Sequence, residues 1–127
     1  MPPVNPHNDH STSIEELKTL LREFRDARNW KKFHTPKNLA EAISIEAAEL
    51  MEHVLWKSDE EIKDILQDPA HKNEIKDELA DILCYCLNLA NVLEIDVSTA
   101  LREKIEKNSQ KYPVEKSRDS AKKYTQL

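Results

Sequence analysis

Apolar residues recur every three or four positions along most of the chain, the spacing that places them on one face of an α-helix. The first such segment runs from about Ile14 to Asn29, and either Ser11 or Ser13 is suited to cap its start. Further helices are predicted over about residues 39–56, 58–68 and 70–93, and a last one starts at either Asp96 or Ser98 and stops before Pro113. No segment shows the alternation of a β-strand. The pattern therefore predicts an all-α fold, a helical bundle of four to five helices.

The segment LADILCYCLNLANVL, residues 79–93, is apolar around most of its circumference when drawn as a helix. Helices of this kind are usually buried on several sides. In a chain of 127 residues, such a helix occupies either the centre of the bundle or a contact between subunits. We favour a bundle that assembles into a homo-oligomer.

The length suits one domain, which we place at residues 13–112. Residues 1–12 are expected to be a disordered lead, and residues 113–127 an irregular basic tail. The start of the chain lacks the basic and apolar segments of a secretory signal, and no apolar run approaches the roughly 20 residues that span a membrane. Cys84 and Cys86 should point away from each other as unpaired core thiols, which fits a cytoplasmic protein.

The chain contains no glycine. P-loops and dinucleotide-binding fingerprints both need glycine where the backbone approaches phosphate, so both are excluded. Phosphate would have to be bound by side chains and metal. Residues 1–100 carry a net charge of −9 and residues 101–127 one of +4. An acidic protein without a concentrated basic patch is not expected to bind nucleic acid.

Two helices each carry a pair of acids three residues apart within apolar surroundings. The second predicted helix contains Glu46 and Glu49, and the fourth contains Glu78 and Asp81. If four carboxylates meet, each pair at ~4 Å repels by about 4 kcal/mol at an effective dielectric constant of 20. Protonation, basic partners or divalent cations relieve that repulsion. Oxygen ligands on rigid helices suit Mg²⁺, with Mn²⁺ as an alternative.

The competing interpretation is that such acid pairs are solvated surface residues. A di-iron bundle would instead need Glu-x-x-His motifs, and the spacing of His53 from Glu46 and Glu49 does not provide one. His53 is therefore expected to be a packed or surface residue.

Aromatic and basic residues offer candidate contacts for a nucleotide. Trp30 and His34 lie in one predicted loop, and Trp56 and Tyr85 lie near the acid pairs. Their rings are suited to stack on a nucleobase, although the tryptophans could equally fill the core. On the last helix, three residues share one face that could bind phosphate or simply be solvated: Lys104, Asn108 and Lys111.

Taken together, these residues resemble the MazG-like all-α nucleoside triphosphate pyrophosphohydrolases, which carry an E-x-x-E pair and an E-x-x-D pair. The stretches FRDARNWKKFHTPKNLA, LWKS and DELADILCY and the end KNSQKYP are most similar to the dCTP pyrophosphatase branch. The resemblance covers about residues 14–127. It implies a bundle assembled into dimers or tetramers.

The resemblance also implies roles for individual residues. The implied metal ligands are Glu46, Glu49, Glu78 and Asp81. The implied contacts to base or sugar are Trp30, His34, Asn38, Trp56 and Tyr85. The implied contacts to phosphate are Lys104, Asn108, Lys111 and Tyr112. Either Glu46 or Glu49 would accept the proton of the attacking water. Lys111 stands where relatives often have arginine, so it could not bind phosphate through two parallel hydrogen bonds.

We therefore expect an enzyme that uses Mg²⁺ to convert a deoxynucleoside triphosphate, dCTP or a modified dCTP, to the monophosphate and pyrophosphate, removing unwanted nucleotides. Broader specificity that includes dATP is an alternative. A helical scaffold that binds Mg²⁺ only for structure is a second one.

Overall fold

The computed structural model describes residues 5–127, and these residues contain helices and turns but no strand. The six α-helices are α1 (Ile14–Ala27), α2 (Pro36–Glu52), α3 (Asp59–Ile65), α4 (Pro69–Leu93), α5 (Val97–Lys111) and α6 (Val114–Ser117). The all-α prediction is confirmed. The single-turn helix α6 and a 3₁₀ turn at Tyr124–Gln126 lie where the sequence suggested an irregular tail. The first four residues of the predicted lead lie outside the described part of the chain.

Five helices begin at a side chain that accepts a hydrogen bond from a backbone N–H of the first turn. These capping residues are Ser13, Thr35, Ser58, Asp68 and Asp96. Such caps satisfy backbone donors that have no partner inside the helix. Short polar residues therefore set where these helices start.

Helix α2 begins three residues earlier than the sequence pattern suggested. Thr35 is the cap and Pro36 occupies the first turn, so the proline starts the helix rather than interrupting a loop. The helix ends at Glu52 instead of continuing to Trp56. Trp56 has a left-handed backbone with φ of 63°, a conformation that a helix cannot contain.

The chain divides into two compact units, residues 1–94 and 95–127. In the first unit, α2 packs along α4, and α1 packs against α4 as well. Of the described residues, Leu39 and Ala90 are the apolar ones that are fully buried, at 2% and 5% exposure. Leu79 and Leu83 of α4 are about half exposed, so α4 keeps one apolar side open.

The second unit contains α5, α6 and the last turn. At the end of α5, the rings of Tyr112 and Tyr124 meet edge to face with centroids 5.9 Å apart. The Lys111 ammonium lies 4.9 Å from the centre of the Tyr124 ring. This cation–π contact fixes the tail against the end of α5.

In the described part of the chain, no single helix is both long and apolar enough to cross a membrane. The consecutive helices α4 and α5 reach the required length and composition only when they are counted together.

Candidate active site

Three carboxylates from two helices meet where α2 packs along α4. Glu46 and Glu49 lie one turn apart on α2, and Glu78 projects from α4. Each offers an oxygen, and these three oxygens all lie within 4.8 Å of one another. The three-residue spacing places the α2 acids on one face, and the packing of the helices brings the third acid to them.

The cluster is electrostatically unfavourable for the protein alone. Oε2 of Glu46 and Oε2 of Glu78 are buried without a hydrogen-bond partner. Burial, together with a hydrogen bond and negative charge from Glu49, raises the pKa of Glu46 to about 7. The charges of Asp81 and Glu78 act in the same direction. A carboxyl group in these surroundings favours a proton or a cation.

The residues present fit a hard divalent cation. Oxygen ligands only, from rigid helices, are the donor set that Mg²⁺ and Mn²⁺ prefer. The two buried oxygens without partners would gain ligand bonds, and a cation would offset the mutual repulsion of the carboxylates. The cluster could therefore hold a metal ion through Glu46, Glu49 and Glu78.

The fourth predicted ligand, Asp81, lies one turn beyond Glu78 on α4 but outside this tight group. It lines a neighbouring cavity. Its negative charge contributes to the raised pKa of Glu46. Burial, followed by the charges of Glu46 and Asp81, raises the pKa of Tyr85. Asp81 and Tyr85 thus connect the acid cluster to the cavity.

His53, which the sequence pattern left without a role, faces the cluster from the end of α2. Its Nε2 atom lies 3.5 Å from Oε1 of Glu78, and its Nδ1 atom 3.9 Å from Oε2 of Glu74. The side chain of His53 is 25% exposed. Its ring can therefore orient the Glu78 carboxylate.

The cavity beside the acids has a volume of about 520 Å³ and lies entirely within the first unit. Its apolar wall comes from α1 and the following turn: Leu20, Leu21, Phe24 and Trp30. Its other wall, which carries the polar groups, contains His34 and the α4 residues Asp81, Cys84, Tyr85 and Asn88. An apolar pocket with a few polar groups is the usual form of a small-molecule site.

The two predicted base contacts in the turn after α1 both line this cavity. The Trp30 ring meets Phe24 edge to face with centroids 5.9 Å apart, and the Arg28 guanidinium stacks 3.6 Å from the centre of the Phe24 ring. Nδ1 of His34 is buried without a partner, and burial and the charge of Arg25 lower the pKa of His34. A neutral imidazole with an unused nitrogen is therefore available to a ligand.

Two other predicted base contacts do not line the cavity. The Asn38 amide donates to the carbonyl of Phe33 at 2.9 Å, which holds the turn before α2 in place. Trp56 is 92% exposed. The predicted phosphate contacts lie in the second unit, with Lys104, Asn108 and Lys111 exposed on α5 and Tyr112 at its end.

The sequence interpretation missed two polar groups at this site, His53 and Asn88. Asn88 follows Asp81 by seven residues, so on a helix the two positions differ by only about 20° in direction. That spacing could have revealed its position. Cys84 also lines the cavity, and burial and the charge of Asp81 raise the pKa of its thiol.

Comparison with known proteins agrees with this geometry. The MazG-like family model matches residues 42–127, which include all three clustered acids. The chain belongs to the MazG-like family. The resemblance inferred from the sequence is therefore confirmed.

Curated relatives of this MazG-like chain include two mammalian dCTP pyrophosphatases. The dCTP pyrophosphatase 1 of Rattus norvegicus is 39% identical over 115 residues, which cover 91% of this chain and 68% of the relative. The Homo sapiens protein of the same name is 35% identical over the same length. A pyrophosphatase from Archaeoglobus fulgidus, known from a crystal structure, is 47% identical in sequence to this chain. Its structure matches this one with a TM-score of 0.74, over 87% of this chain and 99% of that one.

Proposed function

We propose that this chain uses Mg²⁺ to convert a deoxynucleoside triphosphate, preferably dCTP or a modified dCTP, to the monophosphate and pyrophosphate. Its class, a nucleoside triphosphate pyrophosphohydrolase, follows from its family and from relatives named as pyrophosphatases. The observation that carries the proposal is the group of three carboxylates within 4.8 Å beside an apolar cavity. Removal of unwanted nucleotides is the corresponding role.

The arrangement suggests how a nucleotide lies in the site. The base enters the cavity, where Trp30 and His34 offer a ring and an unused ring nitrogen. The triphosphate then extends past Asp81 and Tyr85 toward the acids. Because phosphate and carboxylate repel each other, the triphosphate can occupy that region only together with a cation.

Glu46, Glu49 and Glu78 would hold that cation, with Asp81 as the remaining ligand. The ion would neutralise the phosphates and supply an activated water. Either Glu46 or Glu49 would accept the proton of the water that attacks the α-phosphorus. No covalent enzyme intermediate is needed.

Four polar residues of the second unit are proposed to bind phosphate oxygens of a substrate, a role implied by the family resemblance: Lys104, Asn108, Lys111 and Tyr112. Lysines suit this role as point charges that stabilise the departing pyrophosphate.

We also propose a homo-oligomer, a dimer or a tetramer. The supporting observation is the open side of α4, where Leu79 is 51% and Leu83 is 53% exposed. Apolar side chains one turn apart on an exposed helix face are typical of a protein interface. Equilibrium sedimentation of the wild type and of Leu83→Glu would test it, since the charge should dissociate the assembly.

The decisive experiment is to incubate the protein with each NTP and dNTP plus Mg²⁺ and to identify the products. We expect dCMP and pyrophosphate from dCTP, and no turnover by Glu49→Gln. Glu52→Gln is the matched control, because Glu52 is an exposed acid on the same helix. Comparable turnover of dATP would establish the broader specificity. Release of orthophosphate, or full activity of Glu49→Gln, would refute the proposed reaction or site.

A further inference from the structure

Asn88 is the most deeply buried polar group of the cavity. It is 7% exposed, and it lines the cavity together with Asp81 and Tyr85. No hydrogen bond to its side-chain amide occurs among the described residues. An amide that is largely removed from water and makes no hydrogen bond within the fold is costly unless something else binds it.

Asn91, three residues later on α4, shows what a structural asparagine does in this helix. Its Oδ1 accepts a hydrogen bond from Arg22 at 2.7 Å, and its Nδ2 donates to the carbonyl of Lys18 at 3.0 Å. Both ends of that amide tie α4 to α1. Asn88 differs from Asn91 in that it lines the cavity and its amide has no such partner among the described residues.

Most of the cavity wall cannot distinguish one nucleobase from another, because stacking rings and leucines accept any flat apolar face. Discrimination needs hydrogen bonds to the edge of the base, where donors and acceptors differ. An asparagine amide offers both a donor and an acceptor. Together with the buried, unpartnered Nδ1 of His34, it gives the cavity polar groups on two of its walls.

We propose that Asn88 is a specificity-determining residue whose amide hydrogen-bonds the donor and acceptor edge of the nucleobase inside the cavity. This inference rests on the proposed function and names the group that recognises the base. It gives Asn88 a role in substrate binding, while the chemistry remains with the acids.

The test compares Asn88→Leu and Asn91→Leu on two substrates, dCTP and the triphosphate of 1,2-dideoxyribose, which has no base. We expect Asn88→Leu to lower kcat/KM for dCTP at least tenfold and to leave kcat/KM for the abasic analogue unchanged. Asn91→Leu should preserve the ratio between the two substrates. Without nucleotide, the melting temperature of Asn88→Leu should equal or exceed that of the wild type, whereas Asn91→Leu should melt lower.

An unchanged ratio between the two substrates in Asn88→Leu would overturn the inference while leaving the proposed function intact. A large drop in its melting temperature would do the same, because the amide would then have a partner within the fold. If the leucine does not fit, Asn88→Ala repeats both measurements without added bulk. A wild type that hydrolyses neither dCTP nor any other nucleotide would overturn the proposed function itself.

Discussion

His53 and Glu78 face each other across the contact between α2 and α4, with Nε2 of the imidazole 3.5 Å from Oε1 of the carboxylate. The histidine follows the last residue of α2, and the glutamate belongs to the acid cluster. An imidazole nitrogen at this distance can hold the orientation of the carboxylate, as partners of metal-binding carboxylates do in other proteins. The end of α2 thus supports the site as well as terminating the helix.

Removal of His53 is expected to weaken the metal site without destroying it. Loss of a group that orients a metal ligand typically costs about 10- to 100-fold in metal affinity or activity. We expect His53→Ala to need at least about tenfold more Mg²⁺ for half-maximal turnover, with kcat largely recovered at saturation. His71→Ala is the control, because His71 contacts Asp68 at the start of α4. Equal Mg²⁺ dependence of the two variants would contradict this role.

The raised pKa of Glu46 predicts a pH dependence for the metal-free protein. The folded pKa is about 7 against an ordinary value of 4.5, so the folded state binds the proton more tightly than the unfolded state. Stability should therefore fall as pH rises from about 4.5 to about 7 and level off above that range. Thermal melts in chelator should show the fall in the wild type and a smaller fall in Glu46→Gln.

Mg²⁺ should restore the stability that the metal-free protein loses as pH rises. Because the ion binds the folded acids, it should raise the melting temperature of the wild type at pH 8 by mass action. Glu46→Gln should gain much less, while Glu52→Gln should behave as the wild type. A Mg²⁺-induced shift that is the same in all three proteins would place the ion elsewhere.

Trp30 is predicted to contribute to binding through its ring. Stacking of a base on an aromatic side chain is worth about 1–3 kcal/mol, so Trp30→Ala should raise KM for dCTP by roughly 5- to 150-fold. Phe33→Ala is a matched control, since Phe33 is 58% exposed in the same turn. If Trp30→Ala unfolds the protein while the folded fraction keeps its KM, the ring fills the core instead.

Glu94 ends α4 in a left-handed conformation, with φ of 53°. A residue with a Cβ atom is strained there, whereas glycine is not. We expect Glu94→Gly to raise the free energy of unfolding by about 0.5–1 kcal/mol, despite the greater freedom of glycine in the unfolded chain. Glu23→Gly, at an exposed position inside α1, should lower it by a similar amount. Urea titrations of both variants would measure these changes.

Local patterns were enough to predict much of the fold. Ser13, Ser58 and Asp96 cap helices as their residue types suggest, and the spacing of the acids on α2 placed Glu46 and Glu49 on one face. The predicted start of α2, residue 39, lies three residues too late, because proline usually interrupts a helical pattern. Proline also suits the first turn of a helix, where its missing N–H needs no partner.

Contacts between helices were harder to predict. Periodicity gives the direction of a side chain around its own helix, but it does not give the axial offset of α2 against α4. That offset brings Glu78 to the α2 acids and sets Asp81 at the cavity. It also brings His53 to Glu78, a contact between residues 25 positions apart.

The near-complete exposure of Trp56 makes the protein convenient to follow by fluorescence. The chain has two tryptophans, and Trp30→Phe leaves Trp56 as the sole indole. At 92% exposure, that indole should emit at long wavelength and be quenched readily by iodide. A shift to shorter wavelength on raising the protein concentration would report burial by a second copy. The same shift on adding nucleotide at constant concentration would report burial by substrate.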